Sequence, residues 1–269
     1  LFDRGDIIYS CRDGWGRLSV HQMAQRRYLS FGNEIEQSCI DMLRPARLCH
    51  QYTQVMMLGC LFLEARPQVL LLGLGAGSLA QALLAALPDC RVDAVEQRRQ
   101  VVELAREWFE LPRDRRLKVH VTDAYDYLDQ DPRPADLIFA DLFHDNGMDD
   151  LQAQQSFLSA CRLALKPGGL LVANYWLGDP QTSLAMNQTL QAAFDHPPIS
   201  LTTAEGNCIA FVFDGGPPRV RRKPLLRRAR EIGAILDNPL HAQARNLLQQ
   251  NRQLFNNEPG RLAKGAEHE

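Results

Sequence analysis

Long apolar runs are scarce in this sequence. In the N-terminal half the longest, VMMLGCLFL (Val55–Leu63), is too short to cross a bilayer, which takes about 20 residues. No charged leader with an apolar core and a small-residue cleavage site opens the sequence, so no export signal and no membrane association are expected. Charge of one sign is lacking too: 30 Lys and Arg against 32 Asp and Glu leave a formal −2, which gives no reason to expect a nucleic-acid partner. The seven cysteines (Cys11, Cys39, Cys49, Cys60, Cys90, Cys161 and Cys208) contain no CxxC pair. That argues against a zinc knuckle or a dithiol redox motif, and no metal ligands are expected. Reduced thiols filling core positions, in a cytoplasmic protein, are the expectation.

What is present suits a soluble enzyme. The 269 residues, 45% hydrophobic and 23% charged, allow one sizeable α/β domain and a smaller appendage. IIYS (Ile7–Ser10), GRLSVHQ (Gly16–Gln22) and RRYLSFG (Arg26–Gly32) are short and alternating, with the turn cluster RDGWG between the first two, and predict an antiparallel meander. A helix is expected from about Arg47 to Glu64, ending before Pro67. From Val69 onward buried strands alternate with helices. Strands are expected at Val69–Gly73, Arg91–Val95, Leu117–Val121, Leu137–Ala140, Gly169–Tyr175, Leu201–Thr203 and Cys208–Phe213. This pattern predicts a mostly parallel sheet covered on both faces. Beyond Asp214 a basic run, RVRRKPLLRRAR (Arg219–Arg230), reads as a solvated or partner-facing helix surface, and a further helix is expected from Pro239 to about Phe255.

The most informative stretch is LLLGLGAGSLAQALLAALPDCRVDAVE (Leu70–Glu96). A strand runs into Gly73, Gly75 and Gly77, and a helix follows. Glycines let the chain turn sharply and a ligand come close, while the helix N-terminus offers free N–H groups. The third glycine comes one position too early for the dinucleotide fingerprint, and no lysine follows as a P-loop requires. Glu96, at the end of the next strand, can accept from both hydroxyls of an unphosphorylated ribose.

Taken together, these features resemble the class I S-adenosylmethionine-dependent methyltransferase fold and, more closely, the spermidine synthase (polyamine aminopropyltransferase) family. The motifs behind the resemblance are DGWGRL (Asp13–Leu18), QYTQVMM (Gln51–Met57), LLLGLGAGSL (Leu70–Leu79), VE (Val95–Glu96), VTDAYDYL (Val121–Leu128), ADLIFADLF (Ala135–Phe143) and LKPGGLLVAN (Leu165–Asn174). The resemblance implies an α/β, Rossmann-like, seven-stranded sheet at 47–215, after a small β-meander at 1–46. A C-terminal helical extension at 216–258 and a frayed tail at 259–269 would complete the chain. It also implies that Glu96 holds the ribose hydroxyls, that Asp123, with Ala124 beside it, accepts from the adenine amino group, and that Asp141 is the catalytic acid. Tyr52 would help place an attacking amine, and Gln37 would belong to an active-site lid. A homodimer is implied as well.

The chemistry implied is displacement at a carbon bonded to a sulfonium. An acceptor amine with a pKa of about 10.4 must shed a proton first, and Asp141 can take it, through Tyr52 or water. Asp145, Asp149 and Asp150 are candidates to hold the far end of a diamine. Four positions depart from the family pattern. Ala76 stands where the family has an acid that pairs with the decarboxylated donor and repels the carboxylated one. That repulsion would be about 4 kcal/mol for charges about 4 Å apart. Thr53 and Gln54 replace a pair ending in Glu, and His144 replaces a second acid. The expected activity is aminopropyl transfer from decarboxylated S-adenosylmethionine to a polyamine. The alternatives are methyl transfer from S-adenosylmethionine and non-catalytic nucleoside binding. No prosthetic group is expected.

Overall fold

The computed structural model describes residues 5–32, 36–144, 147–176 and 180–252. The chain opens with four antiparallel strands in sequence order: β1 (Asp6–Asp13), β2 (Gly16–Met23), β3 (Arg26–Phe31) and β4 (Glu36–Asp41). The alternation of the first three is what builds this sheet. One face, carrying Leu18, Val20, Leu29, Phe31 and Ile40, is buried. The fourth strand, with the polar sequence EQSCID, was not expected and forms by pairing with β3.

After β4 the expected long helix starts late. Helix α1 spans Gln51–Met56, and a 3₁₀ turn continues over Met57–Phe62. The cause lies far away in sequence. Asn238 bonds both backbone groups of Leu48, at 3.0 Å each, holding that residue extended and bridged to Ile40. The Arg44–Pro45 step also disfavours helical backbone.

The α/β part runs β5 (Gln68–Leu72), α2 (Ser78–Ala86), β6 (Arg91–Glu96), α3 (Arg99–Trp108), β7 (Leu117–Val121), α4 (Ala124–Asp129) and β8 (Ala135–Ala140). A short hairpin, β9 (Phe143–His144) with β10 (Gly147–Met148), precedes α5 (Gln155–Leu163) and β11 (Leu165–Trp176). Then come α6 (Pro180–Phe194), β12 (Ile199–Thr202), β13 (Asn207–Phe213), α7 (Arg222–Leu236) and α8 (Leu240–Gln250). Seven strands form one sheet in the order β12-β13-β11-β8-β5-β6-β7. Pairing is parallel from β7 through β11 and antiparallel at β13.

Strands such as β5 and β13, apolar after their first residue and buried throughout, fit a sheet covered on both sides. One layer joins α2, α7 and α8; the other joins α4, α5 and α6. The basic stretch turns out to be the start of α7, which buries Leu225, Ala229, Ile232 and Leu236 and leaves most of its cations outward. No helix among the described residues is long and apolar enough to cross a membrane. The strand order reverses between β5 and β8. Their carboxyl ends therefore diverge around a crevice, the place where open parallel sheets bind ligands. The small β-sheet packs its apolar face on α3 and on Ala76 of the glycine loop, closing one side of that crevice.

Candidate active site

The crevice is a cavity of about 650 Å³, within the size range of small-molecule sites. Its floor is set where β5 and β8 end together. Asp141 donates its backbone N–H to Leu72 at 2.9 Å, and a Cβ on Gly73 (φ +95°) would collide with the Asp141 carbonyl oxygen. Glycine is required there because two chain segments cross without room for a side chain. Gly75 (φ +55°) is equally confined, facing the hydroxyl of Ser38 on β4. That hydroxyl accepts from the N–H of Ala76 at 3.2 Å, so the small sheet braces the loop. Gly73 and Gly75 line the cavity; Gly77 faces Leu111 and starts α2. Ala76 is fully buried among the apolar residues of the small sheet, away from the lining.

Glu96 ends β6 and lines the cavity beside the loop. Its carboxylate accepts from the N–H of Arg98 at 3.0 Å and of Leu74 at 3.3 Å. Burial pushes its pKa up, while these N–H groups and that of Gly75 oppose the shift. Asp123 caps α4, accepting from Tyr125 at 2.7 Å and Asp126 at 3.2 Å. Both bonds use Oδ1, so Oδ2 remains available to a ligand while the residue does its capping work. Ala124 lines the cavity next to it.

Elsewhere in the lining, Asp141 is the centre of a hydrogen-bonded chain. Asn174 Nδ2 donates to Asp141 Oδ1 at 2.8 Å, and Asn207 Nδ2 donates to Asn174 Oδ1 at 3.0 Å. The hydroxyl of Tyr52 also donates to the carboxylate, and His50 stacks on the Tyr52 ring with centroids 5.5 Å apart. Burial dominates the titration of Asp141, pushing it up to about 6, against the pull of Asn174, His50 and Tyr52. Buried Gln152 locks the floor, accepting from Leu142 N–H at 2.9 Å and donating to the Asn174 carbonyl at 2.8 Å.

Two further acids stand on this side. Asp149 pairs with His144 at 2.7 Å, and exposed Glu205, in the turn before β13, accepts from the Gln51 N–H at 3.3 Å. His144, Asp149 and Glu205 all line the cavity, whereas Asp150 does not. Asp145 and the side chain of Gln37 lie outside the described residues.

The substituted pair Thr53–Gln54 does not line the cavity. The Thr53 hydroxyl turns back on its own helix, donating to the His50 carbonyl at 2.9 Å. Gln54 turns toward α8, donating to the Leu48 carbonyl and accepting from Gln243, each at 2.9 Å.

Sequence reasoning missed Ser38, His50, Arg98, Asn174, Asn207 and Glu205. Arg98 is buried, lies 4.7 Å over the Phe31 ring and grips Asp13 with both arms of its guanidinium, at 2.8 and 3.0 Å. Asp13 in DGWGRL was the available signal, an acid whose partner the sequence does not name. Glu205 lies in the turn before β13 and Asn207 opens that strand, and neither carries a local signal. Among the described residues no cluster of His, Cys, Asp or Glu could hold a metal ion.

Known proteins are similar to this chain in sequence and fold. The family described as Methyltransferase domain covers residues 69–169. A polyamine aminopropyltransferase of Chromobacterium violaceum is 30% identical over 217 residues, 80% of this chain and 83% of the relative. A probable spermidine synthase from Corynebacterium glutamicum shares the fold, with a TM-score of 0.71 at 23% identity over 84% of this chain and 87% of that one. Human methyltransferase-like protein 13, solved in complex with SAH, superposes with a TM-score of 0.63 at 25% identity over 71% of this chain and 94% of its own. This chain is a transferase and belongs to the polyamine aminopropyltransferase family.

Proposed function

We propose that this protein transfers an aminopropyl group from decarboxylated S-adenosylmethionine to a polyamine amine. The observation that carries the reading is the Tyr52–Asp141–Asn174 chain at the edge of a cavity whose other end has a ribose-type acid, Glu96, on a glycine loop. The donor's adenosine lies along Gly73–Gly75, Glu96 and Asp123, with its sulfonium toward Asp141. The acceptor enters between Tyr52, Asp149 and Glu205, where carboxylates match its cationic nitrogens. The amine lone pair forms the new C–N bond as the C–S bond breaks toward sulfur, leaving methylthioadenosine. Its proton goes to Asp141.

The raised pKa of Asp141 helps. From an ammonium near 10.4 to a carboxylate of about 6, the transfer is uphill by roughly 6 kcal/mol. An ordinary carboxylate would add about 3 kcal/mol more. Burying the ammonium in the cavity narrows the gap further.

Methyl transfer is a second reading, favoured by one observation. No acid of the glycine loop reaches the cavity, so a carboxylated donor meets no repulsion from the loop. Calorimetry with S-adenosylmethionine, its decarboxylated form and methylthioadenosine separates the two. A preference of about tenfold for the decarboxylated donor, about 1.4 kcal/mol, supports aminopropyl transfer; equal or tighter binding of the carboxylated donor overturns it. We also expect a cytoplasmic homodimer, on the family resemblance alone; a monomer in sizing chromatography would end that expectation.

A further inference from the structure

Cys39 lies on β4, and its neighbour Ile40 forms an antiparallel bridge with Leu48. Antiparallel partners keep a constant sum of residue numbers, so one step along the register places Cys39 opposite Cys49. Directly opposed antiparallel residues have Cα atoms about 4.5–5.5 Å apart, inside the span of about 4.4–6.8 Å that a disulfide bridges. The two thiols are in hydrogen-bond contact. We propose that Cys39 and Cys49 are a redox pair that closes to a disulfide under peroxide, with Cys49 as the attacking sulfur.

The other cysteines lack this setting. Cys60, Cys90, Cys161 and Cys208 are buried, and burial raises their thiols; Cys11 is raised for the same reason. Cys49 is held below the usual thiol range, first by the hydrogen bond with Cys39 and then by His50 and Arg26, against burial and Asp41. It is only half-buried, so an oxidant can reach it.

The Cys49 thiolate attacks one peroxide oxygen, the O–O bond breaks, and the departing hydroxide takes a proton to become water. Cys39 sulfur then attacks the Cys49 sulfenic sulfur, the S–O bond breaks, and a second water leaves with the Cys39 proton. Two electrons, one per sulfur, have reduced the peroxide. The bond would reach both sides of the cavity, because Ser38 braces the glycine loop and His50 stacks on Tyr52.

The test uses the full chain treated with hydrogen peroxide, quenched, alkylated after unfolding and mapped by mass spectrometry. The expected result is one cross-link between the Cys39 and Cys49 peptides, with loss of two hydrogens, reversed by dithiothreitol. In Cys39→Ser the Cys49 sulfenic acid persists and is captured by dimedone; in Cys49→Ser the fastest-alkylating thiol of the native protein is lost. Cross-links through other cysteines, or Cys49 passing to sulfinic acid with Cys39 untouched, would overturn the pair. Should either variant fail to fold, the wild-type map decides alone.

Discussion

Asn174 donates to the carboxylate of Asp141 at 2.8 Å while its own carbonyl oxygen accepts from Asn207 at 3.0 Å. The second bond fixes which end of the amide faces the acid, so Asp141 is presented to the cavity as a hydrogen-bonded carboxylate of set orientation. Asp141→Asn keeps the shape and removes the base. Turnover is expected to fall by about 10²–10⁴, the range for a lost acid–base group. Donor affinity, carried by the glycine loop and Glu96, should stay within about twofold, under 0.5 kcal/mol. Single-turnover kinetics beside calorimetry checks both; a variant retaining most of its rate would show that another group takes the proton.

The same acid ties activity to pH. With its pKa pushed up to about 6, Asp141 must lose its proton to act, so the rate should fall as pH drops through about 6. The Asn174 bond pulls that pKa down. In Asn174→Ala the acid limb should therefore move to higher pH, seen in kcat/KM profiles, which report the free enzyme.

Stability has the opposite dependence. The folded state holds a proton on Asp141 at pH values where the unfolded chain has released it, so the favourable contribution of the neutral form is present below about 3.8 and lost as pH rises through about 6. Asp141→Asn is neutral throughout. It should melt higher than wild type at pH 7, by up to about 3 kcal/mol, with the difference shrinking toward pH 4. Calorimetric melts across this range test the sign. The figure is an upper bound, because the carboxylate keeps one edge on the open cavity.

Much of this was legible from sequence for a physical reason. Strands such as Val69–Leu72 and Ile209–Phe213 are apolar because both faces are covered, and glycines at 73 and 75 stand where a Cβ has no room. Residues at strand ends, Glu96 and Asp141, could be placed because parallel strands deliver their carboxyl ends to one edge. What stayed hidden depends on contacts distant in sequence. Leu48 is extended because of Asn238, β4 exists because β3 is beside it, and Asn174 matters only through Asp141 and Asn207. Ala76, read from sequence as a vacancy in the donor site, is fully buried in the cluster that holds Leu18, Phe31 and Val101, a setting that no local pattern announces.

Arg98 and Asp13 tie the small sheet to the cavity wall, and the pair is largely shielded, with side chains 8% and 18% exposed. Removing one partner leaves a charge stranded beside Phe31, a loss of about 3 kcal/mol or more. Arg98→Ala is expected to lower the unfolding free energy from urea titration by that amount and to weaken donor binding, since Arg98 follows Glu96 in the lining. Asp13→Ala should do the same from outside the cavity. The double variant should cost little more than either single one; additive losses would mean the two residues do not act as a pair.

Ala76→Asp restores the acid that the family places in its glycine loop, and it tests whether the residue type or its surroundings set donor choice. In this fold a carboxylate at position 76 enters a cluster of Leu18, Val20, Phe31, Ile40 and Val101, and the cation that lies over the Phe31 ring, Arg98, is already paired with Asp13. Burying an unpaired charge costs several kcal/mol unless the group takes up a proton or the loop moves. The variant should therefore lose stability, more at pH 8 than at pH 5, without gaining preference for the decarboxylated donor. Thermal melts at the two pH values and calorimetry with both donors measure these effects separately. A stable variant with a new tenfold donor preference, about 1.4 kcal/mol, would mean that position 76 turns toward the sulfonium when ligand is bound, and that the small sheet yields to let it.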